Sequence, residues 1–420
     1  MDYKGFFMLS NTFPDGKPIS PWFSEVPVID IHKFTVYDVT SHGVLPGRPD
    51  MLQTAAIQRV IDLAADHGGG VIYFPRGQYL SGSLFFKPGT HLHLAENSII
   101  YGSQEIEDFA IVPTRMEGES VNYFAALINA DKCDNFTISG SGTLDGQGLP
   151  YWRHFWLRRK FNPQCTNMDE MRPRLLYISR SNNVHISGIS LKDSPFWSSH
   201  YYQCRKLKLT NLHITAPHAP IPSPSTDAVD LDVCNEVLIR DCYFSVNDDA
   251  ITLKGGKGPE ADKTPDNGKN SDILIENCRF GRSHSALTCG SETIGNHNIL
   301  MRNCTVDQVG SLFFLKMRPD TPQLNEFIQL ENISGNCREF FYAYSWTQFR
   351  RSPELFPSYG KNITLKDIRI ECVNAFNITN SEEFTLENIF MQNCIISAQN
   401  QPAKNFEGCH AFTFDNVKIN

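Results

Sequence analysis

The segment VLIRDCYF, residues 237–244, recurs along the chain in closely similar form. ILIENCRF occupies residues 273–280 and ILMRNCTV occupies residues 299–306, each with apolar residues at alternating positions and a small polar residue in the middle. Alternation with a period of two residues is typical of β-strands. The sequence therefore predicts short strands that repeat, each followed by a turn.

The repeat continues through more than half of the chain, and the small polar residue marks each copy. These markers are Gly188, Asn211, Asp241, Asn277, Asn303, Asn332, Asp367 and Asn388. Self-similarity at such spacings is typical of solenoids and propellers, but a propeller blade needs four strands and about 40 residues. We therefore predict an all-β fold, a single-stranded right-handed parallel β-helix (a solenoid) whose coils stack about 4.8 Å apart.

Two further features support stacked coils. Cys242, Cys278 and Cys304 occupy the same position of the repeat, so we expect them to form an interior ladder of free thiols rather than disulfides. The asparagines next to them tolerate the left-handed backbone of a tight turn and bond to their own main chain. The sequence thus predicts an Asn- and Asp-lined turn beside a buried cysteine ladder.

An uncapped solenoid exposes an open sheet edge, so we expect a cap at its end. The pattern of residues 51–70 predicts a short helix that ends at Gly68. Its apolar face would consist of Ile57, Val60, Ile61 and Ala64. No linker or change of composition follows, and we predict one domain over residues 1–420 with an N-terminal cap over about residues 1–80.

The composition excludes several classes of protein. A net charge of -8 argues against a nucleic-acid partner, which would require a basic face. No stretch approaches the roughly 18 apolar residues of a membrane helix, and the first residues hold too short an apolar run for a signal peptide. The 12 cysteines are scattered singly. We therefore expect a cytoplasmic protein without a membrane partner, a metal ion or another cofactor, and the oligomeric state stays open.

A second series of motifs aligns the coils independently of the first. It consists of TDAVDLD (226–232), DDAITLK (248–254), HSALTCG (284–290) and SLFFLKM (311–317). The steps from Asp249 to Ser285 to Ser311 are 36 and 26 residues, the same as those from Asp241 to Asn277 to Asn303. In this register we expect the interior to contain Val229, Ile251, Leu287, Phe313, Leu231, Leu253, Cys289 and Leu315. The alternating residues would build one outer surface.

Three carboxylates meet on that surface. Asp227, Asp248 and Asp249 come from two adjacent coils, with His284 one coil further and Lys316 on the next. Carboxylates this close cannot all keep ordinary pKa values. We therefore expect one carboxyl group to have a raised pKa and to hold its proton. Cleavage of a glycosidic bond requires such a protonated acid together with an ionised carboxylate that activates water. The alternative is an aspartate ladder that binds Ca²⁺ or caps turns.

The motifs STDAVDLD, NDDAITLKGG, SHSALTCGSE and FFLKM resemble, in order and spacing, the NTDG, DD, GHG and RIK motifs of glycoside hydrolase family 28, the polygalacturonase family. The resemblance begins near FPRGQY, residues 74–79, and reaches about residue 350. It implies an inverting enzyme that needs no cofactor and acts on an acidic pectic oligosaccharide. Four ordered motifs over most of the chain make the resemblance specific.

The resemblance also implies a role for each matching residue. Asp248 corresponds to the general acid, and Asp227 and Asp249 correspond to the pair that holds and activates water. His284 corresponds to the histidine that orients the acid or contacts the substrate. Lys316 corresponds to the lysine that binds a galacturonate carboxylate.

The chain departs from the family pattern where the RIK arginine is replaced by Phe314. Arg318, two residues further on, is the candidate to replace that cation, although a planar two-pronged donor does not relocate freely. An aromatic residue here suits an apolar sugar face, such as the methyl side of rhamnose. LKMRPDTPQ and SWTQF, beginning at Leu315 and Ser345, are similar to a subgroup of rhamnogalacturonan galacturonohydrolases. Lys254 lies at the strand level of Lys316 and is a further candidate for binding substrate.

We therefore predict a galacturonidase that acts from the chain end on rhamnogalacturonan fragments. The alternatives are an exo-polygalacturonase on α-1,4-galacturonan, a pectate lyase, and a non-catalytic β-helix that binds polysaccharide. Lys257 and Arg282 add cations that favour galacturonate as the released sugar. The loop 255–271 could block one end of the groove. Roles for Trp197, His200 and Trp346, and for the aromatic and basic segment 150–160, stay open between sugar contact, lid, subunit contact and packing.

Overall fold

Short parallel strands dominate the structure, a computed structural model that describes residues 10–25, 30–348, 350–379, 381–400 and 411–420. Among these residues, 31 strands join one continuous parallel arrangement in which each strand pairs with its counterpart one coil away. The predicted all-β fold, a right-handed parallel β-helix, is confirmed.

The strands form three faces of the solenoid, which we call sheets 1, 2 and 3. Sheet 1 contains β1 (Val36–Asp38), β3 (Gly70–Phe74), β6 (Thr90–Leu94), β11 (Thr137–Gly140), β14 (Asn182–Ser187), β17 (Arg205–Thr210), β20 (Asn235–Arg240), β23 (Asn270–Glu276), β28 (Ser358–Lys366), β30 (Thr385–Gln392) and β32 (Phe412–Asp415). Sheet 2 contains β2 (Arg48–Leu52), β4 (Gly77–Ser81), β7 (Ser98–Gly102), β12 (Thr143–Asp145), β15 (Ser190–Lys192), β18 (His213–Thr215), β21 (Tyr243–Ser245), β24 (Arg279–Phe280), β31 (Ile395–Ala398) and β33 (Lys418–Ile419).

Sheet 3 carries the residues of interest for function. It contains β5 (Leu84–Phe86), β10 (Ile128–Asp131), β13 (Leu176–Ser179), β16 (Ser199–Tyr202), β19 (Val229–Asp232), β22 (Ile251–Lys254) and β25 (Ser283–Cys289). Three long strands turn the corners between faces and continue sheet 3: β26 (Gly295–Met317), β27 (Gln323–Ser345) and β29 (Arg369–Thr379).

A helix packs at the N-terminal end of the solenoid, against β3, β5 and β6. This helix, α1, spans Thr54–Asp66 and buries the predicted face of Ile57, Val60, Ile61 and Ala64. Gly68 follows it at a φ of 89°, a left-handed conformation that glycine adopts without strain. The predicted capping helix is confirmed. The extent of the cap and the single domain stay predictions.

Two insertions leave the coils. The strands β8 (Ile111–Met116) and β9 (Glu119–Phe124) form an antiparallel hairpin, and α2 spans Leu149–Phe161 with Pro150 in its first turn. Short 3₁₀ helices occupy Pro21–Phe23, Ile31–Lys33, Val39–His42, Ile106–Asp108, Ala261–Lys263 and Ser381–Glu383. Neither α-helix in the described ranges is long and apolar enough to cross a membrane.

The predicted register of sheet 3 is confirmed. Val229, Ile251, Leu287 and Phe313 pair in successive strands and are fully buried. The second predicted row pairs in the same way: Leu231, Leu253, Cys289 and Leu315. Because side chains alternate along a strand, the residues between these rows face outward. The aspartates and lysines of the sequence motifs therefore share one outer surface.

The turn markers and the cysteine ladder are also confirmed, with one exception. The markers from Gly188 to Asp367 all have φ between 49° and 81°, and Cys242, Cys278 and Cys304 are buried and free, as are all described cysteines. Cys409 lies outside the described residues. The eighth marker was wrong: Asp367 aligns with Asn393, whose Nδ2 donates to Asp367 Oδ1 (3.1 Å). Asn388 instead pairs with Asn362, because coils there have left-handed asparagines at both ends of the strand.

Candidate active site

A cleft of about 540 Å³ lies over the outer face of sheet 3. Asp227, in the turn before β19, lines it together with Asp248 and Asp249, in the turn before β22. His284, at the start of β25, and Lys316, near the end of β26, complete the cluster. The structure thus brings together the five residues that match the family motifs, and the coil stacking is what joins residues up to 89 positions apart.

The floor of the cleft is a buried network around Lys254. Its ammonium Nζ lies 3.3 Å from Glu292 Oε2, 3.4 Å from Asp230 Oδ1 and 3.8 Å from Asp227 Oδ2. It also lies 4.4 Å from the centre of the Trp197 ring. The Lys254 side chain is only 5% exposed. Its positive charge is compensated by these neighbouring carboxylates and holds them in place. Its predicted contact with substrate stays a prediction.

Two buried carboxyl groups of the cluster have raised pKa values, the direction that the sequence predicts for one of them. Burial, followed by the charges of Asp230 and Asp248, raises the pKa of Asp227 well above its usual range. Burial likewise raises the pKa of Asp230 to about 7, and the charge of Lys254 only partly offsets it. In the free protein, the buried Asp227 and Asp230 carboxyls therefore share a proton around neutral pH.

Asp248, which the resemblance designates as the acid, is in the opposite state. Burial favours its neutral form, but the charges of His284 and Lys316 outweigh burial and lower its pKa below the usual range. His284 Nδ1 lies 3.1 Å from Asp248 Oδ1, and Lys316 Nζ donates to Asp249 Oδ2 (2.6 Å). The free protein therefore presents an ionised Asp248 between two cations. A proton must reach Asp248 before it can act as an acid.

We expect the imidazole of His284 to titrate with a pKa of about 9, raised by the charge of Asp248 and by the hydrogen bond between the two. Because this value lies above the ordinary ~6.5, the contact stabilises the fold fully below about pH 6.5. That contribution is lost as the pH rises through about 9. An NMR titration of the ring measures the pKa. Asp248→Asn should return it toward the ordinary value, and an unchanged pKa in that variant would refute the pairing.

Aromatic rings line the side of the cleft formed by the later coils. Phe314 is parallel to Tyr342, with ring centres 4.4 Å apart and planes 8° apart, and Tyr344 continues the stack. The ammonium of Lys316 lies 5.1 Å from the Phe314 ring and 4.9 Å from the Trp346 ring. Phe314 and Trp346 therefore do line the cleft, and they present a mainly apolar wall there.

Arg318 does not replace the missing arginine. Its side chain is 1% exposed, forms a two-pronged pair with Asp320 (3.0 and 3.1 Å) and donates to the Gln348 carbonyl (3.3 Å). It is not part of the cleft lining. The prediction that Arg318 binds substrate is wrong, because a strand-end turn directs its guanidinium into the protein, where Asp320 neutralises it.

Several other sequence candidates have packing roles. His200 is fully buried, its Nδ1 accepts from Arg174 Nη1 (2.7 Å), and burial lowers its pKa to about 4. Lys257 lies 3.5 Å from Glu117 and is outside the cleft lining, as is the exposed Arg282. Trp197 does reach the cleft, where it forms the floor beneath Lys254. None of these residues adds a further cation to the cleft lining.

Insertions wall the end of the cleft beyond Asp227. The lining there consists of Glu117, Arg159, Thr166, Asn167 and Ser225. Asn167 joins the parts of the wall: its Nδ2 donates to Glu117 Oε1 (2.9 Å), and its Oδ1 accepts from Arg172 Nη2 (3.0 Å).

The long loop after β22 supports this wall from behind rather than blocking the groove itself. Ser120 of the hairpin donates to Asp266 of the loop (3.0 Å), and Arg115 Nη2 donates to the Asn267 side chain (2.6 Å). No loop residue between 256 and 269 lines the cleft. The loop ends where β23 begins, at Asn270. The loop thus contacts the hairpin and does not line the cleft.

A metal site is the other reading of the acidic cluster. One ligand atom each of Asp248, Asp249 and His284 lies within 4.8 Å of the others. However, the ammonium of Lys316, 2.6 Å from Asp249, puts a positive charge in the same position. A divalent cation there would be repelled at short range. The donor set fits the ammonium better than a metal ion.

Sequence reasoning missed Asp230, Glu292 and Asn167, and it left the segment 150–160, which contains Arg159, without an assigned role. Asp230 was within reach, because it stands three residues after Asp227 in an outward position of the same motif. The other three come from loops and from α2, which have no counterpart in the repeat. Only the aromatic spacing of Trp152, Phe155 and Trp156 hinted at that helix.

The comparisons with known proteins agree with the motifs. The model of glycosyl hydrolases family 28 matches residues 101–311, half of the 420 residues. A probable polygalacturonase from Vitis vinifera is 27% identical over 50% of this chain and 42% of its own length. An exopolygalacturonase from Zea mays is 30% identical over 52% of this chain and 49% of its own. The chain thus spans less than half the length of these curated relatives.

Among solved structures, a hyperthermoactive exopolygalacturonase from Thermotoga maritima superposes with a TM-score of 0.79. The match covers 92% of each chain at 20% sequence identity. At that identity the likeness concerns the fold, and it places the same right-handed solenoid under the cleft.

Proposed function

The chain belongs to glycosyl hydrolases family 28, and from this premise we propose that it hydrolyses α-galacturonosyl linkages of pectic oligosaccharides with inversion. One observation carries the proposal: three aspartates and two cations converge in a cleft of about 540 Å³. In this proposal Asp248 protonates the leaving oxygen, while Asp227 and Asp249 hold and activate water. The polygalacturonase and exopolygalacturonase relatives support galacturonate as the sugar whose bond is cleaved.

The protonation states of the free protein indicate how the working state arises. In the free protein the pKa of Asp227 is raised and the pKa of Asp248 is lowered. A galacturonate carboxylate that approaches Lys316 adds negative charge and displaces water, and both changes raise the pKa of Asp248. A proton that moves from the Asp227–Asp230 pair to Asp248 then leaves an acid on one side of the bond and a base on the other. Such opposed carboxylates are what an inverting hydrolysis requires.

The wall beyond Asp227 supports action from a chain end. Glu117 and Asn167 are tied to each other and, through Arg172, to the buried part of the segment after α2. A groove closed on that side accommodates a terminal sugar but not a continuing chain. We therefore propose that the protein acts from the chain end and releases single galacturonate units, and the similarity to an exopolygalacturonase supports this proposal.

The aromatic side of the cleft supports a finer proposal about the leaving group. Phe314 stands where the family pattern has arginine, and Arg318 is already bound to Asp320. The Phe314–Tyr342 stack offers an apolar edge, and Arg338, which lines the same cleft, lies 3.3 Å from Glu339. We propose that rhamnose occupies this position and that rhamnogalacturonan fragments are preferred over α-1,4-galacturonan.

Phe314→Arg should reverse this preference. A guanidinium at this position can bind a second carboxylate, so we expect the ratio of kcat/KM for oligogalacturonides over rhamnogalacturonan oligosaccharides to rise about 10-fold or more. Steady-state kinetics on both substrates measure the ratio. Tyr342→Phe keeps the stack and is the control with an unchanged ratio. If Phe314→Arg leaves the ratio unchanged as well, the leaving-group proposal fails.

Product analysis tests the main proposal. The protein is incubated separately with oligogalacturonides and rhamnogalacturonan oligosaccharides, beside Asp248→Asn and with and without chelator. We expect galacturonate, initially as the β anomer by NMR, from the rhamnogalacturonan fragments and no effect of chelator. Release from oligogalacturonides alone would favour the exo-polygalacturonase alternative. An unsaturated, chelator-sensitive product would favour a lyase, and binding without turnover would favour a polysaccharide-binding module.

A further inference from the structure

Helix α2 contributes one arginine to the cleft. Buried Tyr151, Trp152 and Phe155 anchor the helix, and Trp152 Nε1 donates to the Ser194 carbonyl (3.0 Å). Arg159, one turn after Phe155, projects from this anchored helix into the closed end of the cleft. The helix lies outside the repeat, so Arg159 has no equivalent among the stacked coils.

The other cations of the cleft are already paired. Lys254 lies by Glu292 (3.3 Å), Lys316 by Asp249 (2.6 Å), His284 by Asp248 (3.1 Å) and Arg338 by Glu339 (3.3 Å). Among the described residues, Arg159 is the cleft-lining cation that has no carboxylate within 4 Å. Its neighbour Arg158 points away from the cleft and pairs with Glu170.

The guanidinium of Arg159 is held in position without being neutralised. It lies 4.9 Å from the centre of the Phe155 ring, and its Nη2 donates to the Cys165 carbonyl (3.3 Å). Its Nε is buried and has no hydrogen-bond partner in the described structure. A buried donor without a partner costs free energy, which a bound acceptor would recover. An oriented, uncompensated guanidinium is suited to a carboxylate, which it can bind through two parallel bonds.

We propose that Arg159 binds the carboxylate of the terminal uronic acid in the closed end of the cleft and so selects a uronate over a neutral sugar. This inference rests on the proposed function, which supplies the galacturonate. Thr166, Asn167 and Ser225 line the same end and offer polar groups to the sugar hydroxyls. Recognition of the released sugar thereby comes from an inserted helix, on the side of the cleft away from the aromatic wall.

The test uses Arg159→Gln, with Arg158→Gln as the matched control on the same helix. Aryl α-galacturonide and aryl α-galactoside differ only at C6, which is a carboxylate in the galacturonide and a hydroxymethyl group in the galactoside. We expect Arg159→Gln to lower kcat/KM on the galacturonide about 30- to 100-fold, mainly through KM, and to leave the galactoside rate unchanged. Arg159→Lys should recover part of the loss. Arg158→Gln should match the wild type on both substrates.

A binding measurement separates this inference from the proposed function. Calorimetric titration with D-galacturonate and D-galactose requires no turnover, and we expect Arg159→Gln to lose the preference for galacturonate. A wild-type protein that binds galacturonate through Arg159 but releases no sugar would overturn the proposed function alone. An active wild type whose Arg159→Gln variant keeps the full preference in both assays would overturn the inference. Thermal unfolding of each variant identifies a fold defect. If Arg159→Gln has such a defect, the same two assays on Arg159→Lys decide the inference.

Discussion

Replacing Asp248 with asparagine is expected to lower kcat on rhamnogalacturonan oligosaccharides by about 10²- to 10⁴-fold, the contribution of a positioned general acid. The amide keeps the shape of the side chain but cannot supply a proton to the leaving oxygen. KM should change little, because Lys316 and the cleft walls remain. Chromatography of the released galacturonate measures the rate.

The expected loss has a second signature that a structural role would not produce. Substrates with a good leaving group, such as nitrophenyl α-galacturonide, need less protonation, so the loss in Asp248→Asn should be smaller on them. The control is Asp241→Asn, which makes the same chemical change at a turn where Asn277 and Asn303 stand in the next coils. We expect wild-type activity from it. Equal losses on both kinds of substrate would remove Asp248 from the acid role.

Replacing Lys254 with methionine is expected to lower the free energy of unfolding by about 3–5 kcal/mol at neutral pH, as for other buried ion pairs that lose one partner. Glu292, Asp230 and Asp227 would keep their positions on the cleft floor without the cation that compensates them. Burial alone would lower the pKa of Lys254, but these carboxylates raise it well above the usual range. Chemical denaturation followed by circular dichroism measures the change.

The loss should depend on pH in a defined direction. Because the Lys254 pKa is raised on folding, its stabilising contribution is present at neutral pH and disappears only under strongly alkaline conditions. In Lys254→Met, the remaining carboxylates can take up protons, so the loss should be smaller at pH 5 than at pH 8. Lys192→Met is the control, since Lys192 also lies near two carboxylates (3.1 Å each) but is half exposed. Equal losses in the two variants would mean that the buried network is not a stabilising unit.

Local sequence patterns determined most of the solenoid. Alternating residues such as Val237 and Ile239 assign each side chain to the interior or the surface, since the strand period is two. Small polar residues such as Asn277 identify the left-handed turns. When two such patterns have the same spacing, they determine the register of neighbouring coils. That register brings Asp227 and Asp249 together. Near residue 388 the pattern admitted a second match, because asparagines stand at both ends of that strand.

The tertiary structure decided which charges remain available to a ligand. Sequence placed Lys254, Lys316 and Arg318 near the cleft, but their roles depend on partners that the repeat does not encode. Glu292 engages Lys254, and Asp320 holds Arg318 inside the protein. Arg159 reaches the cleft from α2, a helix inserted between two coils. A strand pattern fixes the side of the sheet on which a residue lies, whereas the free energy of a buried charge depends on its neighbours in space.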